Sequence, residues 1–320
     1  LPVSPPALKT HLRIGSRGSE LARWQADYIA ERLRALGCTV EIILIKTRGD
    51  LDQRTAFGGM NAKGIFTKEI EDALLAGTID LAVHSLKDLP TQLPPGLELV
   101  AVPERESPLD GWVSRHGTAL ADLPPGARVA TGSLRRQAQI LALRPDLEVV
   151  PIRGNVHTRL QKIRDGLADA TLLAQAGVHR LGLSDVLTSV FSPDQLTPAM
   201  GQGALGIEAR AGEFTDIWPQ LEHIPTRLAA EAERAFIGAI GGGCKTPAGV
   251  LAQPREGGGW RVTAVLASPD GRHLLRRGAV CDHDDELGPL ALALARSMLA
   301  EASPEIRATL SPAEPPAGAP

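Results

Sequence analysis

From residue 11 to residue 198, strand-patterned and helix-patterned segments alternate, and that rhythm restricts the chain to a small set of folds. HLRIGS opens as a short strand. Ser19 is placed to cap a helix running to about Leu36, with Leu21, Trp24, Tyr28 and Leu36 near one face and Gly37 as its stop. VEIILIK (40–46) reads as a buried strand, 67–76 as a helix ended by Gly77, and 80–85 and 97–102 as two more strands. Strands separated by helices pair side by side, so a largely parallel sheet is expected.

The same rhythm restarts near residue 108. ARVAT (127–131), LEVVPIR (147–153) and ATLLA (170–174) each lead into a helix-patterned run, and 199–219 reads as a return connection toward the first unit. A third part begins with a helix at 226–239, continues through strands near 248–252, 260–267 and 273–280, and ends with a helix near 285–301; strands and helices are segregated there, an α+β pattern. The expected division is 11–104 with 199–219 (domain 1, α/β), 105–198 (domain 2, α/β) and 220–310 (domain 3, a smaller α+β domain). A chain of 320 residues suits such a division at about 100 residues per domain. The Pro-rich ends, 1–8 and 311–320, read as tails.

Composition removes several functions. A net charge of −3 and only ten aromatic residues (five Phe, four Trp, one Tyr) argue against a nucleic-acid-binding surface. No apolar run reaches the roughly 18 residues of a membrane span, and LPVSPPALKT lacks the basic-then-apolar pattern of a signal peptide. Cys38, Cys244 and Cys281 are widely spaced with no C-x-x-C pair, so neither a disulfide framework nor a metal site is indicated, and a reducing, cytoplasmic setting is expected.

Two strand-to-helix turns carry chemistry. Thr131-Gly132-Ser133-Leu134-Arg135-Arg136 and Arg153-Gly154-Asn155-Val156-His157-Thr158-Arg159 each set a glycine, hydroxyl or amide side chains and arginines at a helix start. Free backbone N–H groups and the helix dipole favour an anion there, and arginine adds two-pronged carboxylate recognition. A single such arginine reads more simply as a solvated charge; two matching turns in an acidic chain favour anion binding. Arg17, in Gly15-Ser16-Arg17-Gly18-Ser19, has the same setting.

Lys87 and Asp88 follow the strand 80–85, at the end where ligands gather in open α/β sheets. A surface ion pair, or an Asp shaping the turn before Pro90, explains them equally well from spacing alone. Cys244 follows three glycines, a setting for a nucleophile or attachment point. A small buried apolar residue is the commoner fate of a free cysteine, and spacing alone leaves that reading ahead. Cys38 and Cys281 read as structural. The Gly-rich stretch 54–65 reads either as a lid or as a linker.

Eight segments in order, LRIGSRGSELARWQA (12–26), TRGD (47–50), KGIFTKE (63–69), DLAVHSLKDLP (80–90), TGSLRRQ (131–137), RGNVHTRL (153–160), GQGALGIE (201–208) and GGCKTPAG (242–249), resemble the porphobilinogen deaminase family over nearly the whole chain. The resemblance implies two periplasmic-binding-protein-like α/β domains around a cleft plus a smaller α+β C-terminal domain. It implies an enzyme that deaminates four porphobilinogen molecules, joins them head to tail on a covalent dipyrromethane cofactor and releases hydroxymethylbilane by hydrolysis. Carried over, Cys244 would hold the cofactor through a thioether and Asp88 would be the catalytic carboxylate. Lys87, Thr131, Ser133, Arg135, Arg136, Gly154 and Arg159 would contact the cofactor; Arg17, Ser19, Lys63, Phe66 and Arg153 would serve the substrate, with Lys63 and Phe66 in or beside the lid. A cytoplasmic monomer, with no nucleic-acid or membrane partner and no metal, is expected. Pyrroles bearing two carboxylates each need the arginine cluster, and an electron-rich ring losing ammonia needs a carboxylate beside its nitrogen.

Two other readings share these features. A non-enzymatic binding module for a small anion would have the same arginine turns but carry nothing on Cys244. A nucleic-acid-binding protein would lose affinity steeply with salt and turn over no small molecule.

Overall fold

A computed structural model describes residues 10–47, 67–242 and 246–310. In chain order it forms β1 (His11–Ser16), α1 (Glu20–Ala35), β2 (Thr39–Leu44), α2 (Lys68–Leu75), β3 (Leu81–Ser85) and β4 (Leu97–Ala101). There follow β5 (Asp110–Ser114), β6 (Arg128–Ala130), α3 (Leu134–Leu143), β7 (Glu148–Val150), α4 (Val156–Arg164), β8 (Ala170–Ala174), α5 (Gln175–Arg180), β9 (Ser189–Val190) and β10 (Leu205–Arg210). The chain closes with α6 (Ile224–Ala239), β11 (Ala248–Pro254), β12 (Trp260–Ala267), β13 (Leu274–Cys281), α7 (Leu287–Glu301) and α8 (Pro304–Arg307). The described residues divide into two compact units: those up to Arg105 with Ala204–Ile224, and Glu106–Gly203 with those from Pro225 on.

The first unit is a five-stranded sheet in the order β2-β1-β3-β10-β4. Pairings β1/β2 and β1/β3 are parallel, as the alternation predicts, but β10 runs antiparallel to both β3 and β4. The sheet is therefore mixed rather than largely parallel, because the returning segment enters it as a strand. Gly206 makes that insertion possible: a Cβ there would stand 2.8 Å from Leu99 Cδ1 and 3.0 Å from Leu86 Cδ1.

On one face α1 buries Ala26, Ile29, Ala30 and Leu33 against Leu12, Ile14, Leu81, Val83, Leu205 and Ile207. These helix positions recur at the three- and four-residue spacing that makes one stripe of a helix. On the other face α2 lays Ile70 and Leu74 over Ala82, Ile79 and Leu97. Strand β3 is thus covered on both sides. Leu81 and Val83 point to α1, and by the two-residue period of a strand His84 shares the α2 face with Ala82.

The second unit contains a sheet in the order β7-β6-β8-β5-β9, with β6/β7 and β6/β8 parallel and β5 antiparallel to β8 and β9. Its smaller C-terminal portion is α+β, as expected: β11-β12-β13 form an antiparallel meander whose Val250, Val262, Ala264 and Leu266 pack with Phe236 of α6 and with Ala291, Ala295 and Met298 of α7. Hydrogen bonds tie this portion to the five-stranded layer: Gln137 Nε2 donates to Pro269 O at 3.1 Å and Arg276 Nη2 to Gln139 Oε1 at 2.9 Å.

Residues 199–203, read from sequence as part of the return to the first domain, belong to the second unit through Gly203. Gly201 N–H donates to Glu233 Oε2 at 2.6 Å, and the same carboxylate accepts from Ala252 N–H at 3.0 Å. Cys38 and Cys281 are buried free thiols in the apolar clusters, and burial pushes both thiols up.

Candidate active site

In the first unit two turns meet at the carboxyl ends of the adjacent parallel strands β1 and β3. After β1 the chain passes Arg17 and reaches Ser19, the N-cap of α1, whose Oγ accepts from Ala22 N–H at 3.3 Å. After β3 it makes a tight 3-10 turn over Leu86–Asp88. Leu86 and Leu89 are fully buried, and Leu86 N–H donates to Ala204 O at 3.0 Å. With the apolar residues on both sides anchored, Lys87 is half-buried and Asp88 exposed.

Arg17, Ser19, Gln25, His84, Ser85 and Asp88 line one pocket of about 80 Å³. Gln25, although buried, reaches across to donate to Ser85 Oγ at 2.8 Å. Thr67 and Ile70, at the start of α2, complete the wall.

One lining residue, His84, contacts a second buried polar group. His84 Nε2 lies 3.0 Å from Glu208 Oε2, with side-chain exposures of 6% and 0%. The contact is at ion-pair distance but off the axis of a good hydrogen bond. Glu71 of α2 is also buried. Burial raises its carboxyl above the ordinary value, partly offset by the Thr67 hydroxyl, and the Glu208 charge adds to the rise.

In the second unit the two arginine turns stand side by side, because β6 and β7 are parallel neighbours. Ser133 caps α3, its Oγ accepting from Arg136 N–H at 3.4 Å, and Thr131 Oγ1 accepts from Ser133 N–H at 3.1 Å. Gly132 lies where a Cβ would come 3.2 Å from Ile152 O on the neighbouring turn. Asn155 caps α4, accepting from Thr158 N–H at 2.9 Å. Gly154 sits at φ +111°, a conformation that favours glycine, and a Cβ there would meet Thr158 Cγ2 at 2.6 Å. Arg159 Nε donates to Gly154 O at 2.8 Å, which ties the helix arginine back to its own turn, and Arg153 is half-buried beside it.

Arg135 and Arg136 are placed differently from the solvent-facing anion grips their motif suggests. Both are buried, and both close on Asp110 of β5. Arg135 Nη1 donates to Oδ2 at 2.7 Å, Arg136 Nε to Oδ1 at 2.8 Å, and the backbone oxygens Thr197 O and Leu172 O take further N–H groups. Burial alone would raise the Asp110 carboxyl, but the two guanidiniums outweigh it and hold the group far below the carboxylate range. Burial lowers the Arg136 guanidinium, with Asp110 opposing the fall and Arg135 adding to it. Two cations on one anion leave the cluster one positive charge in excess, immediately behind the N-terminus of α3.

The structure therefore brings Arg17, Ser19 and Asp88 to one pocket in the first unit, with Lys87 on the same turn, and in the second unit brings Thr131, Ser133, Arg153, Gly154 and Arg159 to two helix starts that adjoin each other. Cys244, Lys63 and Phe66 lie outside the described residues. Asp110 and Gln25 were missed as site residues. Asp110 stands in ERESPLDGW with no periodic or motif signal, whereas Gln25 is a polar residue in the buried spacing of α1, which is a signal.

The family sequence model for "Porphobilinogen deaminase, dipyromethane cofactor binding domain" matches residues 12–216, and that for the "Porphobilinogen deaminase, C-terminal domain" matches 227–300. The chain belongs to the porphobilinogen deaminase family. It is 44% identical over 304 residues to the porphobilinogen deaminase of Nitratidesulfovibrio vulgaris (strain DSM 19637 / Miyazaki F), covering 93% of this chain and 96% of that one. It is 47% identical over 287 residues to that of Desulforudis audaxviator, covering 88% and 93%. Among solved structures, the L-cystine solute receptor of Neisseria gonorrhoeae is similar at 16% identity over 68% of this chain and 85% of that one, with a TM-score of 0.38.

The reaction is that of the porphobilinogen deaminases, which are transferases of tetrapyrrole biosynthesis. Four porphobilinogen molecules lose ammonia and are joined on a dipyrromethane cofactor, and hydroxymethylbilane is released by hydrolysis. The donor set of the second unit fits such a cofactor. Its carboxylates require fixed N–H and O–H donors and positive charge, and two adjacent helix starts backed by a cationic cluster supply both.

Proposed function

We propose that Asp88 is the catalytic carboxylate, that the β1 and β3 turns hold the incoming substrate, and that the two helix starts of the second unit hold the carboxylates of the cofactor. The observation that supports this is the shared pocket of Arg17, Ser19 and Asp88, in which a carboxylate-binding side and a proton-carrying side face one small volume.

Arg17 and Ser19 serve the substrate carboxylates: Arg17 through its planar donor fork, Ser19 through a hydroxyl at a helix N-terminus. Asp88 lines the same pocket. The reaction breaks a C–N bond, the pair leaving with nitrogen, and later removes a proton from the carbon that has formed the new ring junction. Asp88 delivers a proton to the leaving nitrogen, remains as a negative charge beside the electron-deficient ring, and accepts the junction proton. One exposed carboxylate meets all three requirements. Lys87, on the same turn, contacts a cofactor carboxylate. Thr131, Ser133, Gly154 and Arg159 hold the cofactor through hydroxyl, backbone and guanidinium donors, and Arg153 adds a charge for the growing chain. Arg135 and Arg136 contribute through the excess charge of their Asp110 cluster and through whichever N–H groups the bound carboxylates reach.

Cys244 carries the cofactor as a thioether, and the dipyrromethane so held supplies the ring carbon onto which the first substrate unit is joined. Lys63 and Phe66 serve the substrate. The three-part division into domains, a cytoplasmic setting, a monomeric state and the lack of nucleic-acid and membrane partners belong to the same reading. The acidic balance supports the lack of a nucleic-acid partner; no helix among the described residues is long and apolar enough to cross a membrane.

The deciding experiment is single-turnover ammonia release by cofactor-loaded Asp88→Asn, which keeps the size of the side chain and removes its charge and proton. A fall of roughly a hundredfold or more is expected, the scale of losing a positioned acid/base group. Near-normal release would end the assignment.

A further inference from the structure

The His84–Glu208 contact sits where a purely apolar residue pair would pack more cheaply. His84 pairs with Gly206 across the β3/β10 ladder, and Glu208 is two residues further along β10, opposite Ala82. The two side chains are thus diagonal neighbours on one face of the sheet, and that face is covered by α2. Ile70, Leu74 and Leu97 pack on that face, and both polar side chains are buried. Such a pair costs desolvation and is weak support for stability on its own.

Its position is what distinguishes it. His84 and Asp88 line the same pocket, and His84 leads through Ser85, Leu86 and Lys87 to Asp88. His84 Nε2 faces Glu208 of the partner strand at ion-pair distance. The charged or titratable groups near His84 come from four places: Glu208 from β10, Glu71 from α2, Asp88 from the turn after β3 and Arg17 from the turn after β1, the last two lining the same pocket.

We propose that His84, anchored by Glu208, is a positioning residue for Asp88: the couple fixes the strand end that presents the carboxylate and sets the electrostatic floor on which it works. The proposal rests on the assignment of Asp88 as the catalytic carboxylate. Glu208 acts one step further away, through His84.

The test uses the cofactor-bearing enzyme and three variants, Asp88→Asn, His84→Gln and Glu208→Gln. Intact mass confirms that each carries the adduct. Single-turnover ammonia release by His84→Gln is expected to fall by roughly tenfold to a hundredfold, the scale on which a misplacement of about 1 Å acts. Glu208→Gln is expected to keep the fold and to change the shape of the pH profile of that rate, since it removes the charge that faces the imidazole while preserving the size of the side chain. A merely structural pair would lower thermal stability and leave the pH profile of the folded enzyme unchanged, and that result would overturn the proposal. Should His84→Gln fail to fold, the ring ¹⁵N signals of His84 in the wild-type and Asp88→Asn enzymes carry the test. A shift between the two is expected from coupling across the pocket, and identical signals would refute it. Collapse of Asp88→Asn alone, with wild-type rates and profiles in the other two, would remove this proposal and leave the role of Asp88 standing. Near-normal release by Asp88→Asn would remove both.

Discussion

Arg135 Nη1 stands 2.7 Å from Asp110 Oδ2, with the two side chains 5% and 0% exposed. Arg136 reaches the other oxygen from the next position of the same helix. The arrangement ties α3 to β5, and through Thr197 O to the segment leading into β10. Asp110→Asn leaves two buried guanidiniums without their anion. A loss of about 3–5 kcal/mol of unfolding free energy is expected, the usual result of breaking a buried pair from one side, measured by urea unfolding. The sign of the pH dependence follows from the depressed carboxyl: its contribution is full above the ordinary carboxylate value and is lost as pH falls toward the folded value. The variant should therefore lose the part of the acid dependence that Asp110 supplies, beside that of other lowered carboxyls such as Asp80. From the motif alone, Arg135→Leu would disturb only the ligand. Burial changes that expectation: the variant should also be destabilised, because Asp110 loses a partner.

Arg159 gives the contrasting case. It is half-exposed, and its Nε donates to its own turn, at Gly154 O. Arg159→Leu should unfold close to wild type but weaken retention of the cofactor or of bound intermediates by about 1.5–3 kcal/mol, the cost of one charge-assisted hydrogen bond. The fraction of purified protein carrying the adduct, by intact mass, checks the second half. An unchanged fraction together with normal elongation would place Arg159 outside the site.

Glu71 predicts the opposite pH behaviour from Asp110. Its carboxyl is raised from 4.5, chiefly by burial. A raised group stabilises the fold below its unfolded value and withdraws that stability as pH rises through the folded value. Glu71→Gln removes the ionisation while keeping the shape. The variant should be more stable than wild type at neutral and alkaline pH and gain little near pH 4, as read from thermal unfolding across that range. Equal shifts at every pH would show that Glu71 titrates alike in the folded and unfolded chain, against a raised carboxyl.

Much of this architecture was legible because it rests on local signals. Ser19, Ser133 and Asn155 are helix caps whose side chains bond the third residue on, and each follows a strand that its apolar run announces. The strands β5, β9 and β10 were not legible. In Leu205–Arg210, Gly206 and Glu208 interrupt the apolar pattern, and the strand exists because it is inserted between β3 and β4, a tertiary fact. The site divides in the same way. Arg17, Ser19 and Asp88 sit where strand ends in an α/β sheet must lead, so position and motif agreed. The inward turn of Arg135 and Arg136 depends on Asp110, which arrives from more than 20 residues away and carries no signal of its own.

The last prediction concerns the three cysteines. Cys38 packs in the apolar layer under α1, and Cys281 lies at the end of β13 against the C-terminal core. Both are buried free thiols, and burial raises each, with nearby acidic groups adding to the effect: Asp216 for Cys38, Glu286 and Asp282 for Cys281. A thiol held in its protonated form away from solvent reacts slowly, since the thiolate is the nucleophile. In the native cofactor-bearing enzyme neither should react quickly with a thiol reagent. After denaturation only these two should appear if Cys244 is consumed in a thioether, although the sequence contains three cysteines. Cys244→Ser should give the same denatured count but lack the adduct mass and turn over little substrate, whereas Cys38→Ser should retain both adduct and turnover. The two measurements separate the possibilities. Three thiols in denatured protein that is active and carries the adduct would place the cofactor elsewhere, because a thioether sulfur cannot also titrate.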